Sequence, residues 1–282
     1  MNAPSELFSQ KISVIIPSFD GIRGGNVARL QEQLSTQTLK PFEVILSVGV
    51  SPNGRARNEG VKKASGDYYV FIDDDVTLGH ERIIENLIRP LLEDKTIGMT
   101  GPSQLIPPDS NWLQRTAARQ IPRSEFPIQH ELVDSDMVTH MCLCMPAALF
   151  KEVGWENPDI IAGTDPDLRH RVRQAGYRVC VIPDNWAYHP MPETFAKLMR
   201  LSYVKGIQSA KVRKSHPDLV LELDDGFKKK FSPRRPFHYR ILRQIVLLLA
   251  AIMTLKIFRA TTSIAYMIGY GQETLFPKKR KE

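Results

Sequence analysis

Tyr68-Tyr69-Val70-Phe71-Ile72-Asp73-Asp74-Asp75 is the stretch that decides the fold, because five apolar residues end abruptly in three carboxylates. A run this short, rich in aromatic and β-branched side chains, reads as a buried strand. Two runs of the same kind precede it, Ile12-Ser13-Val14-Ile15-Ile16-Pro17 and Phe42 to Val50, and both read as buried parallel strands. Between them Leu30 and Leu34 stand four apart, as on one helix face, and Ile83, Ile84, Leu87, Ile88, Leu91 and Leu92 repeat that spacing after the triplet. The alternation β-α-β-α-β-α predicts an open α/β sheet wound in the right-handed sense. Ligands of such sheets bind beyond the carboxyl ends of the strands, so the segments after Pro17, Val50 and Ile72 are expected to line one cleft.

With 282 residues, 42% of them hydrophobic, the chain can bury a full core as one large domain or two smaller ones, and disorder is not the expectation. Residues 102–136, rich in Pro, Ser and Gln, read as an irregular insertion, and Met145 to Ile182 returns to helices and a strand from Tyr177. Cys142, Cys144 and Cys180 are too few and too irregularly spaced for a disulfide framework or a zinc site, and read as small apolar core groups in a reducing compartment. Met1 to Lys11 contains no apolar stretch of the signal-peptide kind, so the catalytic part is expected in the cytoplasm.

The net charge of +7 is unevenly spread: residues 1–196 sum to −6 and residues 197–282 to +13. A basic excess at one end points to an anionic partner there, either lipid headgroups or nucleic acid. Phe195 to Val212 is a basic amphipathic segment, Ile245 to Leu255 is apolar but for Thr254, and Ala260 to Tyr270 is a second apolar run. Neither run reaches the roughly 20 residues a spanning helix needs. Two short helices in the interface, or a shallow hairpin, are expected, with Lys228-Lys229-Lys230, Arg234, Arg235 and Lys278 to Lys281 on an anionic membrane surface. A soluble helical subdomain with a basic face is the alternative. The aliphatic setting of these charges, without interleaved stacking aromatics, argues against nucleic acid.

Carboxylates at i and i+2 on a strand point the same way, about 6.5–7 Å apart. Three such charges at one strand tip repel one another unless a cation is shared, and a hard divalent ion completed by substrate phosphates resolves the conflict. Such an ion would neutralise a departing diphosphate. An acidic triplet in a solvated turn is the bland alternative. Gly163-Thr164-Asp165-Pro166-Asp167-Leu168 has two readings as well. Asp165 before a proline is a sound helix N-cap, with Leu168, Val172 and Ala175 on the buried face and Gly176 ending the helix. A carboxylate fixed at a helix start can also act as general base toward an acceptor hydroxyl. His189 is an ordinary lone histidine or a nitrogen ligand to a manganese-like ion. Gly54-Arg55-Ala56-Arg57-Asn58-Glu59-Gly60 opens a helix whose amides and arginines suit a diphosphate, and Arg23-Gly24-Gly25 either serves the same cleft or is a simple turn.

Together these residues resemble glycosyltransferase family 2, of the GT-A fold. The matching pieces, in family order from about residue 11 to 206, begin with Ser13-Val14-Ile15-Ile16-Pro17-Ser18-Phe19-Asp20 and Ala56-Arg57-Asn58-Glu59-Gly60, leading through Ala64 and Gly66 to Phe71-Ile72-Asp73-Asp74-Asp75. Phe150 to Gly154, Asp165-Pro166-Asp167-Leu168 with Arg171, Gly176-Tyr177-Arg178-Val179 and His189 complete the series. The resemblance implies an α/β enzyme, with an open mixed sheet, that transfers a sugar from a nucleotide diphosphate with inversion in the presence of Mn2+ or Mg2+. It implies that Pro17, Ser18, Asp20, Arg57, Asn58, Asp73 and Asp74 face the nucleotide, with Asp73 near ribose or base. Asp75 would hold the metal with His189, Asp73 contributing, and Asp165 would be the base. Trp155, Thr164 and Asp167 would face the acceptor.

Three departures qualify that picture. The acidic pair the family carries after its second strand is replaced by Leu46-Ser47-Val48-Gly49-Val50-Ser51, leaving the nucleotide base unassigned. The glutamate before the catalytic aspartate is Thr164, which removes a neighbouring charge and should leave the pKa of Asp165 less elevated. No Gln-x-x-Arg-Trp follows the helix from Pro166, so transfer of one sugar at a time is expected rather than polymerisation. The domain reading is a catalytic domain over 1–206, its nucleotide part about 11–100 and its acceptor part about 137–206, followed by a basic helical region over 207–282. The expected acceptor is a lipid-linked or cell-surface glycan precursor at the inner face of the cell membrane. The rivals are a nucleotidyltransferase, for which Ile22-Arg23-Gly24-Gly25 is only a faint version of the required loop, and a nonenzymatic membrane or nucleic-acid binding module.

Overall fold

The computed structural model describes residues 7–161, 163–215 and 237–276. In chain order the elements are β1 (Ile12–Ser18), α1 (Asn26–Ser35), β2 (Glu43–Val48), α2 (Asn53–Lys63), β3 (Tyr68–Ile72), β4 (Thr77–Leu78), α3 (Ile83–Glu93) and β5 (Ile97–Leu105). They continue with α4 (Trp112–Gln120), β6 (Val133–Asp134), β7 (Cys142–Pro146), α5 (Ala147–Glu152), α6 (Thr164–Gln174) and β8 (Arg178–Tyr188). Three helices close the described chain: α7 (Phe195–Ser215), α8 (Phe237–Met253) and α9 (Ile257–Leu275).

The strands form one mixed sheet of order β2-β1-β3-β7-β5-β8-β4, with β6 added alongside β8. β1 is parallel to both β2 and β3. β7 runs antiparallel to β3 and β5, and β8 returns parallel to β5. The antiparallel β7 therefore delivers its leading residues to the end of the sheet where β1, β3, β5 and β8 deliver their carboxyl ends.

Alternation along the central strands builds two cores. Val14, Ile16, Val70 and Ile72 turn toward Leu30 of α1 and Ile84 and Leu87 of α3, while Ile15, Tyr69 and Phe71 turn toward Phe150, Leu168 and Val172 of α5 and α6. Cys142, Cys144 and Cys180 are free and buried, as small apolar groups, and burial raises the thiols of Cys142 and Cys180 to about 12. β2 is a sheet edge rather than a fully buried strand, which leaves Val44 and Val48 exposed.

Other expectations need correction. The segment 102–136 is not irregular throughout, because β5 extends to Leu105 and α4 follows under a capping box in which Asn111 and Gln114 satisfy each other's main-chain N–H groups. Asp165 is not an N-cap: Gly163, in the left-handed conformation at φ 89°, holds that position, and Asp165 is the second helical residue with its carboxylate turned elsewhere. The strand expected to end at Ile182 runs on to Tyr188. The first apolar run of the tail fills the end of α8, of 17 residues, and passes two residues beyond it, while the second sits within α9, of 19 residues. Among the described residues no helix is long and apolar enough to cross a membrane. α7 runs unbroken across residue 206 and packs along α9. Lys228 to Lys230, Arg234, Arg235 and Lys278 to Lys281 lie outside the described residues.

Candidate active site

The acid triplet lies at the carboxyl end of β3, and arginines meet it there. The Asp73 carboxylate pairs with Arg57 of α2 at 2.7 Å, and Asp75 pairs with Arg23 at 2.7 Å. Asp74 accepts from the Ser18 hydroxyl at 2.6 Å and lies 3.5 Å from Arg23 Nε. Burial raises the Asp74 pKa, and the charges of Asp75 and Asp73 add to the rise against the opposing pull of Ser18 and Arg23. The guanidinium groups of Arg57 and Arg23 thus supply part of the counter-charge that three adjacent carboxylates require.

Residues of the first strand hold the loop as well as the cleft. Asp20 accepts from the main-chain N–H groups of Ile22 and Arg23 at 2.9 and 2.8 Å, which lowers its pKa and fixes the turn that carries Arg23. Pro17 is paired in register between β1 and β2, next to Ser18. Arg57 is 2% exposed and points inward to Asp73, not outward as a diphosphate clamp. Asn58 bridges to the main chain of Glu156, donating to its carbonyl at 2.9 Å and accepting from its N–H at 3.0 Å.

A divalent ion has two fitting donors. Asp75 Oδ1 is buried with no hydrogen-bond partner, and His189 Nε2 lies 3.4 Å from it in a contact that makes no hydrogen bond. Two ligands bound about 2.1 Å from one octahedral ion stand about 3 Å apart, so this orphaned pair suits an ion whose remaining positions are filled by phosphate and water. His189 arrives there because β8 continues past Ile182, and its N–H bonds the Leu105 carbonyl at 2.9 Å. Asp73 is turned to Arg57, and among the described residues no three His, Cys, Asp or Glu side chains converge into a ready-made cage.

On the opposite side, α6 presents Asp165. Its Oδ1 accepts from both the main-chain N–H and Nδ1 of His140, each at 2.6 Å. His140 Nε2 meets Glu156 Oε1. Sequence reasoning missed both His140 and Glu156, and neither lies in a motif. Burial and Arg57 work against a charged imidazole, but Glu156 and Asp165 outweigh them and raise His140 to about 9. Burial works against the Asp165 carboxylate too, but His140 first and Arg169 next hold it well below the usual carboxylate range. Its charge also reaches Arg123 and Lys205, both of which burial lowers. Thr164 is half-buried, its methyl facing Gly54 at the start of α2, where an added Cβ would meet the Asn157 carbonyl at 3.3 Å. Asp167 is engaged by Arg171 at 2.7 Å, and half-buried Trp155 leans on the Phe150 ring at 6.0 Å. The structure thus gathers Asp73, Asp74, Asp75 and His189 at the end of β3, and buried Arg57, which pairs with Asp73 and feels the charges of Glu156 and Asp165, ties that cluster to Asp165 on α6.

The coupled charges fix a pH dependence of stability. A raised imidazole pKa contributes stability fully present below the ordinary imidazole value and lost as pH rises through about 9. A depressed carboxylate contributes stability present above its ordinary value and lost as pH falls below it. The melting temperature is expected to be highest between about pH 4 and pH 6, to fall progressively between pH 6.5 and about pH 9, and to level off above that, a fall that His140→Gln should remove.

An open mixed sheet whose central strand ends in an aspartate triplet, with a helix-borne aspartate coupled to it through one buried arginine, is the arrangement of a glycosyltransferase of the GT-A type. The family described as Glycosyltransferase like family 2 matches residues 14–203, about two-thirds of the chain, and the protein belongs to that family. Its fold is similar to that of mannosyltransferase PcManGT from Pyrobaculum calidifontis, solved in complex with GDP-Man and Mn2+: TM-score 0.58 at 14% identity, covering 96% of this chain and 88% of that one. Glucosyl-3-phosphoglycerate synthase from Mycobacterium tuberculosis, in complex with Mn2+ and UDP-Glc, aligns with TM-score 0.49 at 14% identity over 74% of this chain and 82% of that one. No curated protein sequence matches the chain.

Proposed function

We propose that the protein is an inverting, nonprocessive transferase that moves one sugar at a time from a nucleotide-diphosphate sugar to the hydroxyl of a lipid-linked or cell-surface glycan precursor. The observation that carries the reading is the coupling of two groups at the same end of the sheet, the orphaned Asp75 Oδ1 beside His189 and Asp165 held by His140, with buried Arg57 between Asp73 and the charges of Glu156 and Asp165. Asp75 and His189 would hold Mn2+ or Mg2+, which supplies Lewis-acid neutralisation of the departing diphosphate. Ser18 and Arg57 fix Asp74 and Asp73 so that the nucleotide meets preset carboxylates. Asp165 takes the acceptor proton as the acceptor oxygen bonds the anomeric carbon and the sugar–diphosphate bond breaks, and attack from the face opposite the leaving group inverts that carbon.

Incubation with GDP-mannose or UDP-glucose and Mn2+ is expected to release the nucleoside diphosphate, and excess chelator to stop it. Full-rate release in chelator would overturn the metal assignment, and pyrophosphate release from a nucleoside triphosphate and a sugar phosphate would favour the nucleotidyltransferase.

Attachment at the inner face of the membrane is the second part of the proposal. Leu242, Val246 and Leu249 of α8 are each more than half exposed, and Met253 is 84% exposed. These apolar side chains stand among Arg243, Lys256 and Arg259, the pattern of a helix lying in the interface of an anionic bilayer. The protein is expected to float with phosphatidylglycerol vesicles and not with phosphatidylcholine vesicles, and Leu242→Glu with Val246→Glu should abolish flotation. Wild-type protein that stays unbound to anionic vesicles would count against the membrane reading.

A further inference from the structure

His140 lies outside every motif, yet it is 2% exposed and bonds a carboxylate on each ring nitrogen. A neutral imidazole carries one N–H, so one of its two carboxylates would then face a lone pair. Both are satisfied only when both nitrogens are protonated, and the raised pKa of His140 agrees with that requirement. Glu156, 1% exposed and held through Asn58, faces His140 on the side away from Asp165. The edge of the His140 ring against Phe71, centroids 6.1 Å apart, fixes its plane.

We propose that His140 is the positioning residue of the base: clamped by Glu156, it occupies Oδ1 of Asp165 with two donors and leaves Oδ2 to the acceptor hydroxyl. Among the described residues Oδ2 accepts no hydrogen bond, and the Asp165 side chain is 32% exposed. During transfer the acceptor proton passes to Oδ2 and Asp165 becomes neutral. The His140–Glu156 pair stays charged, so both donors remain on Oδ1 through the step. Glu156 supplies, through the imidazole, the second carboxylate that Thr164 lacks beside Asp165. A base whose pKa is lowered takes the proton late, once the acceptor oxygen is bonding to the sugar and its acidity has risen. Arg57 and Glu156 face the ring, while Arg123, Arg169 and Lys205 face Asp165.

The inference rests on the transferase reading, and the test separates the two. Diphosphate release from GDP-mannose and UDP-glucose with Mn2+, water serving as acceptor, is measured across pH for wild type, His140→Gln and Glu156→Gln. Ring 15N signals of histidine, with His140 assigned by its loss in His140→Gln, are recorded alongside. His140→Gln is expected to lower kcat about 100-fold with the donor KM nearly unchanged. Glu156→Gln is expected to keep the fold and bring the alkaline limb of kcat down by about one pH unit or more, because the imidazole loses a charge partner. Wild-type His140 should show both ring nitrogens protonated at about pH 8. A working wild type with a neutral His140 at pH 7, or variants with wild-type kcat and pH profile, overturns this inference alone. A wild type that releases neither diphosphate overturns the transferase reading and this inference with it.

Discussion

Asp165→Asn is expected to lower kcat for diphosphate release about a thousandfold while GDP or UDP still raises the melting temperature. The substitution is nearly isosteric, and the amide oxygen can still accept from the main-chain N–H and Nδ1 of His140, so the start of α6 should keep its shape. What disappears is the negative charge and the proton-accepting oxygen. An aligned general base contributes about 10²–10⁴-fold, and a loss of that size in kcat without loss of nucleotide binding is the signature of an interaction made in the transition state. Turnover within a few-fold of wild type would remove Asp165 from the chemistry and return it to a structural ion pair. Arg169 keeps a second acidic partner, Asp136, 3.8 Å from its Nε, so the variant does not strand that buried guanidinium alone.

Gly206→Leu is expected to carry the largest cost to stability. α7 and α9 cross where Gly206 rests on the Tyr266 carbonyl and Gly269 rests on the Tyr203 carbonyl, and a Cβ at either position would overlap main-chain oxygen. Main-chain atoms have no rotamer into which to retreat, so the helices must separate and lose the packing of Leu198, Val212, Phe258 and Ala260. Overpacking of this kind costs about 3 kcal/mol, which for a chain of this size lowers the melting temperature by several degrees. Tyr203, whose hydroxyl bonds Gln272, would be displaced with it. Gly271, two residues from Gly269 on the same helix, has open space at its Cβ. Gly271→Ala should be neutral or stabilising by up to about 1 kcal/mol, since glycine is the poorer helix former. Equal melting temperatures for Gly206→Leu and wild type would show that the helices do not meet at this crossing.

The part of the site read most fully from sequence is the part that is local in sequence. Asp73-Asp74-Asp75 follows a five-residue apolar strand, and Ser18 ends the first one, so both had to arrive at strand tips. His189 could be read only as a candidate, because the strand before it is longer than its apolar stretch: Pro183 and Asp184 interrupt the hydrophobic signal, yet pairing with β5 continues to Tyr188. Asp165 was legible as a helix-start residue, but its partner was not.

The sequence by itself determined the alternation of strands and helices, the cleft end of the sheet, and the carboxylates at its lip, because apolar periodicity and strand ends are nearest-neighbour properties. Tertiary structure alone decided which charges meet. Arg23 crosses from one loop to Asp75 and Arg57 reaches Asp73 from a helix, while β7, by running antiparallel to β3, brings His140 to the cleft between Glu156 and Asp165. Strand direction depends on pairing between segments far apart along the chain, and the low dielectric of the interior gives those distant charges their strength, so neither is written in any local run of residues.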